Sequence, residues 1–308
     1  MKPNDGYTRR DFLKDSALLG TAAVLGSSGL ACGPRSRGHA PTAKLPMDLA
    51  VVGGGSPAQN CMAAVEALGG FGRFVHPGDR VVVKPNPIGR SQPEQAINTH
   101  PDMIEAVVRS CLEHGAADVL VVSHDAMPSM IGNGTAAAVQ QAGGTLKALD
   151  RVDEYREVVV PRGRILRTEN IAIDVLEADV FINMPIAKHH AGAEVTFAMK
   201  NLMGVNWDRI RFHRTDLQQC IAELAGAVRH DLIIMDANHV LLTNGPAGPG
   251  EVRNVGEVIA GVDPVAVDAF TMRYFGREPG TIGHIRIAHE LGIGEIDLGR
   301  LRIKEFTA

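Results

Sequence analysis

The 308 residues include only four cysteines, Cys32, Cys61, Cys111 and Cys220, and no two of them form a CxxC pair. Such spacing leaves a zinc ribbon or a ferredoxin-type iron–sulfur cluster without its ligands. So few cysteines in a chain of this length do not make a disulfide scaffold either. Aromatic residues are 4% of the chain, with one Trp and three Tyr, too few for the stacking platforms of single-strand binders. The formal net charge of −4 offers no basic excess, so a nucleic-acid partner is not expected. The longest mildly apolar run, 17–31, is short and interrupted by Gly20, Gly26 and Gly29, which excludes a stable spanning helix there. What remains is 45% hydrophobic and 21% charged, the composition of a globular chain with one large domain or two small ones.

The first residues read as an address. Thr8-Arg9-Arg10-Asp11-Phe12-Leu13-Lys14 has the pattern of a twin-arginine export signal, and the 17–31 run follows it. The run ends in Gly29-Leu30-Ala31-Cys32-Gly33, similar to a lipoprotein box with Cys32 as the lipidated residue. Residues 1–31 are therefore expected to be the signal segment. Residues 32–47, rich in Pro, Arg, Ser and Gly, are expected to be a tether, and 48–308 the folded body. The expected location is the periplasm, or a membrane anchorage facing the periplasm or cell exterior. The twin-arginine machinery is the expected partner, and the membrane is met only through the signal or a lipid anchor. Because that route carries folded proteins, often with a cofactor already inserted, it weighs toward a metal or cofactor protein.

In the body, short apolar runs alternate with amphipathic stretches. This predicts an α/β fold with a mostly parallel sheet and helices on both faces, either one compact unit or two closely packed lobes divided near Arg151. Ligands of such sheets sit at the carboxyl ends of the strands. The loops to inspect follow Val83, Val122, Ile182, Met235 and Ala260.

The first loop, Lys84-Pro85-Asn86-Pro87, carries a lysine and an asparagine whose direction two prolines restrict. The second begins His124-Asp125, a pair able to bind a metal or move a proton. The third, 185–195, holds Lys188, His189, His190 and Glu194, and a helix is expected over 196–203. Thr196 as its cap would leave free amides facing a ligand, with Lys200 one turn along. Lys188, His190 and Lys200 around a helix N-terminus make an anion site, for a carboxylate or a phosphate. His190 and Lys188 are the candidate catalytic residues, and Lys84, Asn86, Thr196, Lys200, Asn201 and Asp236 the candidate ligand-binding ones. His190, His213 and Asp236 are an alternative set of metal ligands. Asp236 is expected at a strand end, with His239 beyond it and a flap over 244–250. Asp263 precedes Pro264 as a helix cap, and Asp268 is expected to organise the site from apolar surroundings.

In combination these residues resemble the bacterial and archaeal family called domain of unknown function 362, over residues 79 to about 276. The family pattern of a proline, lysine-x-histidine, a threonine and a lysine–asparagine pair before glycine is met here by Pro185, Lys188, His190, Thr196, Lys200, Asn201 and Gly204. Asp236, Asp263 and Asp268 stand at its later aspartates, His213 falls where a histidine is common, and His189 replaces a more usual threonine. The resemblance implies a shared fold and site, and it is compatible with twin-arginine export. Many members carry a ferredoxin-like cysteine segment; this chain has none, so an iron–sulfur cofactor is not carried over, while a metal ion stays open.

Two functions are expected to compete. One is an exported metal- or cofactor-dependent enzyme, with redox chemistry among its options, acting on a small anionic substrate. The other is a non-catalytic periplasmic protein that binds a small anion or handles a metal. A transferase or ligase working on a phosphorylated substrate lacks a Walker-type loop, and Gly53–Gly55 does not supply one.

Overall fold

Val81 and Val83 sit in a run whose alternate residues must face opposite sides of a sheet. The computed structural model, which describes residues 44–124 and 127–308, shows that alternation in every central strand. Arg9, Arg10, Cys32, Asp125 and residues 32–43 of the expected tether lie outside the described residues. The strands are β1 Leu49–Gly53, β2 Arg80–Pro85, β3 Asp118–His124, β4 Thr145–Leu149, β5 Tyr155–Val159, β6 Thr168–Ala172, β7 Val180–Met184, β8 Ile186–His190, β9 Glu194–Thr196, β10 Leu232–Leu241, β11 Val252–Gly261 and β12 Ile303–Thr307. Ten of them form one sheet in the order β12-β1-β11-β10-β7-β2-β3-β4, with β8 on β10 and β9 on β8. Strands from both sides of Arg151 enter that sheet, while β5 and β6 pair separately.

Two apolar layers flank the sheet. Val81, Val83, Val119, Val121, Ile182 and Ile234 pack on one side against helices α1 (Pro57–Ala67), α2 (Pro101–Glu113) and α3 (Thr135–Ala142). Val82, Val122, Phe181, Ile233 and Met235 pack on the other side. There they meet α4 (Ala198–Asn201), α6 (Leu217–Ala227), α7 (Pro264–Thr271) and α8 (Gly283–Glu290), with α5 (Arg209–Arg214) between α4 and α6 in sequence. Burial of each such side chain contributes about 1.5–3 kcal/mol before conformational entropy is counted. The α/β class with helices on both faces is thus the one that the residue pattern predicts.

Local signals set several boundaries. Ser56 caps α1 in a reciprocal box with Gln59. Asp263 caps α7 by accepting from Val265 N and Ala266 N. His100 caps α2, with its Nδ1 accepting from Asp102 N. Two strand readings also change. β10 runs on to Leu241, so Asp236 lies inside a strand and not at its mouth. β11 is antiparallel to both its neighbours, which puts Asp263 at the opposite end of the sheet from the carboxyl ends of β2, β3 and β7.

Candidate functional site

Polar side chains replace apolar ones where β2 and β7 reach their carboxyl ends. Lys84 and Asn183 are registered partners on these adjacent parallel strands, and both are fully buried. Buried amides and ammonium groups need partners, and α4 supplies them. Asn183 Nδ2 donates to Ala198 O (2.9 Å), and Asn201 Nδ2 donates to Asn183 Oδ1 (2.8 Å) and Lys84 O (3.1 Å). Asn201 Oδ1 accepts from Asn86 Nδ2 (2.8 Å) and, at 3.4 Å, from Lys84 Nζ, which also donates to Pro85 O. Thr99 fixes the Asn86 loop: its Oγ1 accepts from Asn86 N (2.8 Å) and donates to Met184 O (2.7 Å). Gly204 makes room for Lys84, since a Cβ there would lie 2.4 Å from Lys84 Cε and 2.7 Å from Nζ. That close approach gives the glycine after the lysine–asparagine pair a physical reason.

Above this floor is a cavity of about 200 Å³. Its cations are Lys84, Lys200 and Arg209, its imidazoles His124, His190 and His213, and its neutral polar groups Asn86, Ser123, Thr196 and Asn201. No carboxylate lines it among the described residues. Neither the Lys200 nor the Arg209 side chain makes an ion pair or hydrogen bond among the described residues. Thr196 Oγ1 and Asn86 Oδ1 are buried without a hydrogen-bond partner.

The cations disturb one another. Burial, then the charges of Arg209 and Lys200, lowers Lys84 to about 7. Burial and Arg209 lower Lys200 to about 8. Burial, followed by Lys200 and His213, lowers His190 to about 3, so this imidazole is neutral at physiological pH. Its Nδ1 accepts from Gly192 N and Ala193 N, both at 3.1 Å, which places the proton on Nε2. His190 thus meets the cavity as a neutral hydrogen-bond donor.

The cavity gathers Lys84, Asn86, His190, Thr196, Lys200, Asn201 and His213 from separate parts of the sequence. Lys188 and Asp236 do not line it. Lys188 is buried, donating to Ile97 O (2.6 Å) and Pro246 O (3.1 Å), and so anchors the 244–250 segment. Asp236 accepts from His100 N (2.8 Å) and from Asn238 N and Nδ2, holding the start of α2. The metal set of His190, His213 and Asp236 is thus not assembled. His190 and His213 stack with centroids 6.2 Å apart, but Asp236 is engaged elsewhere. No three His, Cys, Asp or Glu side chains among the described residues are grouped so that they could hold a metal ion.

The start of the central helix also differs. It begins at Ala198, with Thr196 on β9, and the free amides expected there are taken by Asp268. Asp268 accepts from Ala198 N (2.7 Å) and Met199 N (3.1 Å), with burial pushing its carboxyl up to about 8 against those two bonds. Asp268 organises the site, as its apolar setting implies, by holding the helix that carries Lys200 and Asn201.

Ser123 and Arg209 went unmarked in the sequence. Arg209 was within reach, because it lies four residues before His213 on α5 and shares its face. Ser123 gave no signal beyond its strand end. His124 is oriented by Tyr155, its Nδ1 2.8 Å from the hydroxyl that donates to Leu149 O, and Trp207 packs 5.5 Å from its ring centroid.

The chain is 30% identical over 254 residues to the Thylakoid-associated protein sll1697 of Synechocystis sp., covering 78% of this chain and 76% of that protein. A crystal structure of a Thermotoga maritima protein aligns with 76% of this chain at 10% identity and a TM-score of 0.38, and this chain spans 58% of that one. The family model described as domain of unknown function (DUF362) matches residues 81–273, which hold the cavity lining, the amide ladder and Asp268, and the chain belongs to that family.

Proposed function

We propose that this protein acts outside the cytoplasm on a small anion held by Lys84, Lys200 and Arg209. The observation that carries the reading is that three cations share one cavity that no carboxylate lines among the described residues. Like charges in a partly desolvated space repel, and an anion relieves the repulsion while gaining charge-assisted hydrogen bonds. Thr196 Oγ1 and the Nε2 proton of His190 add neutral donors. The metal-dependent version of the enzyme has less support, since the proposed ligands do not meet. Lys84, lowered to about 7 by burial and by Arg209 and Lys200, changes its charge near neutral pH in the free protein, and an anion beside it favours the protonated, cationic form.

Titrating the purified protein with inorganic phosphate and with malate, followed by thermal unfolding, tests the reading. A ligand at 100 times its Kd stabilises by about 2.7 kcal/mol, a shift of several degrees in a chain this size. A melting curve unmoved by either anion at millimolar concentration would refute the cradle. Export is tested separately by replacing Arg9 and Arg10 together with lysine. The double variant is expected to stay inside the cell, folded, and its normal appearance outside would remove the twin-arginine reading of Thr8–Lys14.

A further inference from the structure

The amide ladder beneath the cavity has a direction. Ala198 O and Lys84 O only accept, so Asn183 must turn Nδ2 toward the first and Asn201 must turn Nδ2 toward the second. Asn201 Oδ1 is then left facing Asn86, which can meet it at 2.8 Å only with Nδ2. Two backbone carbonyls thereby set the orientation of three side chains. The last atom of the chain, Asn86 Oδ1, is a buried acceptor with no donor. Thr196 Oγ1, 3% exposed, is likewise unpartnered. An unmade buried hydrogen bond of this kind costs about 1–3 kcal/mol.

An anion whose oxygens only accept satisfies the lysines and Arg209 but sets oxygen against oxygen at Asn86. The occupant therefore brings a donor as well as a negative charge. An ammonium is unsuited to that part, because Lys84, Lys200 and Arg209 repel it. A neutral hydroxyl is suited. Resting on the anion site above, we infer that the ligand is a small hydroxylated anion, a hydroxycarboxylate or a polyol phosphate, whose charged end meets Lys200 and Arg209 and whose hydroxyl donates to Asn86 Oδ1. A cavity of about 200 Å³ suits roughly six to ten non-hydrogen atoms.

The test uses matched pairs on the wild-type protein by calorimetry: glycerol 3-phosphate against propyl phosphate, and malate against succinate, with sulfate, which carries no proton, as the bare anion. In at least one pair the hydroxylated member is expected to bind about tenfold tighter or more, as one extra hydrogen bond in a buried site allows. The pair that shows the preference identifies the charged group. In Asn86→Ala the ratio falls toward one while the unhydroxylated anion still binds. Thr196→Val, which removes only a hydroxyl, weakens binding without lowering the melting temperature of the free protein. Equal binding within both pairs by the wild type would overturn the hydroxyl requirement and leave the anion site standing. Failure of all five compounds to bind would overturn both.

Discussion

Replacing Lys200 with alanine lowers affinity for a small anion by about 10–150-fold, the loss of one charge-assisted hydrogen bond worth 1.5–3 kcal/mol. The side chain has no intramolecular ion pair among the described residues to compensate, and it lines the cavity beside Arg209. Wild-type binding is also expected to weaken as pH rises. In the free protein Lys84 loses its proton near 7 and Lys200 near 8. A bound anion raises both values, so binding takes up protons. Affinity is then highest below about pH 7 and falls above it, by up to about tenfold per pH unit for each proton taken up. Lys200→Ala removes one proton from that uptake and flattens the profile. Calorimetry between pH 6 and 9 in two buffers of different ionisation enthalpy reads both effects. The stability of the free protein moves the other way. A lysine with a depressed folded value binds fewer protons than it does unfolded, so this contribution to stability rises with pH between about 7 and the ordinary lysine value. Lys200→Ala is therefore at least as stable as wild type without anion. A variant with unchanged affinity and an unchanged pH profile would make Lys200 an ordinary helix residue.

Asp268→Ala is expected to destabilise the protein by about 3–5 kcal/mol. The carboxylate, Ala198 and Met199 are all buried to 0% exposure, and the substitution strands two amide N–H groups, each at about 1–3 kcal/mol, with a small cavity added. Asp268→Asn is expected to fall between wild type and alanine, because an amide keeps the shape but offers a single acceptor oxygen. Urea unfolding with a common m-value measures the loss. Binding weakens as well, because Lys200 and Asn201 stand on the helix that Asp268 holds. Alanine at position 268 with unaltered unfolding would mean that water or another group satisfies those amides.

Much of the molecule is legible in local pattern. The period-2 valines of β2, β3 and β7, Ser56 before Pro57 and Asp263 before Pro264 act within a few residues, so they can be read without knowing what lies across the sheet. Lys84 and Asn86 were legible at the end of the apolar strand β2, and Lys200 and Asn201 in the lysine–asparagine pair before Gly204.

The fate of each carboxylate was not legible. Asp236 and Asp268 look alike in sequence, each set among apolar neighbours, the first a candidate ligand-binding residue and the second a candidate organiser of the site. Asp236 instead meets an amide 136 residues earlier, and Asp268 closes the helix N-terminus that seemed open to a ligand. The antiparallel course of β11 carried Asp263 to the far end of the sheet, and strand direction is not written in alternation. Which residues form strands and helices, and that Lys84 ends an apolar strand, depends on neighbours one to four positions away and is read along the chain. That no acid among the described residues lines the cavity beside the cations, and that Asn86 ends with an unanswered oxygen, can be seen only in the folded arrangement. Both follow from register and pairing across more than a hundred residues, where each buried polar group takes whichever partner the packing brings within hydrogen-bond reach.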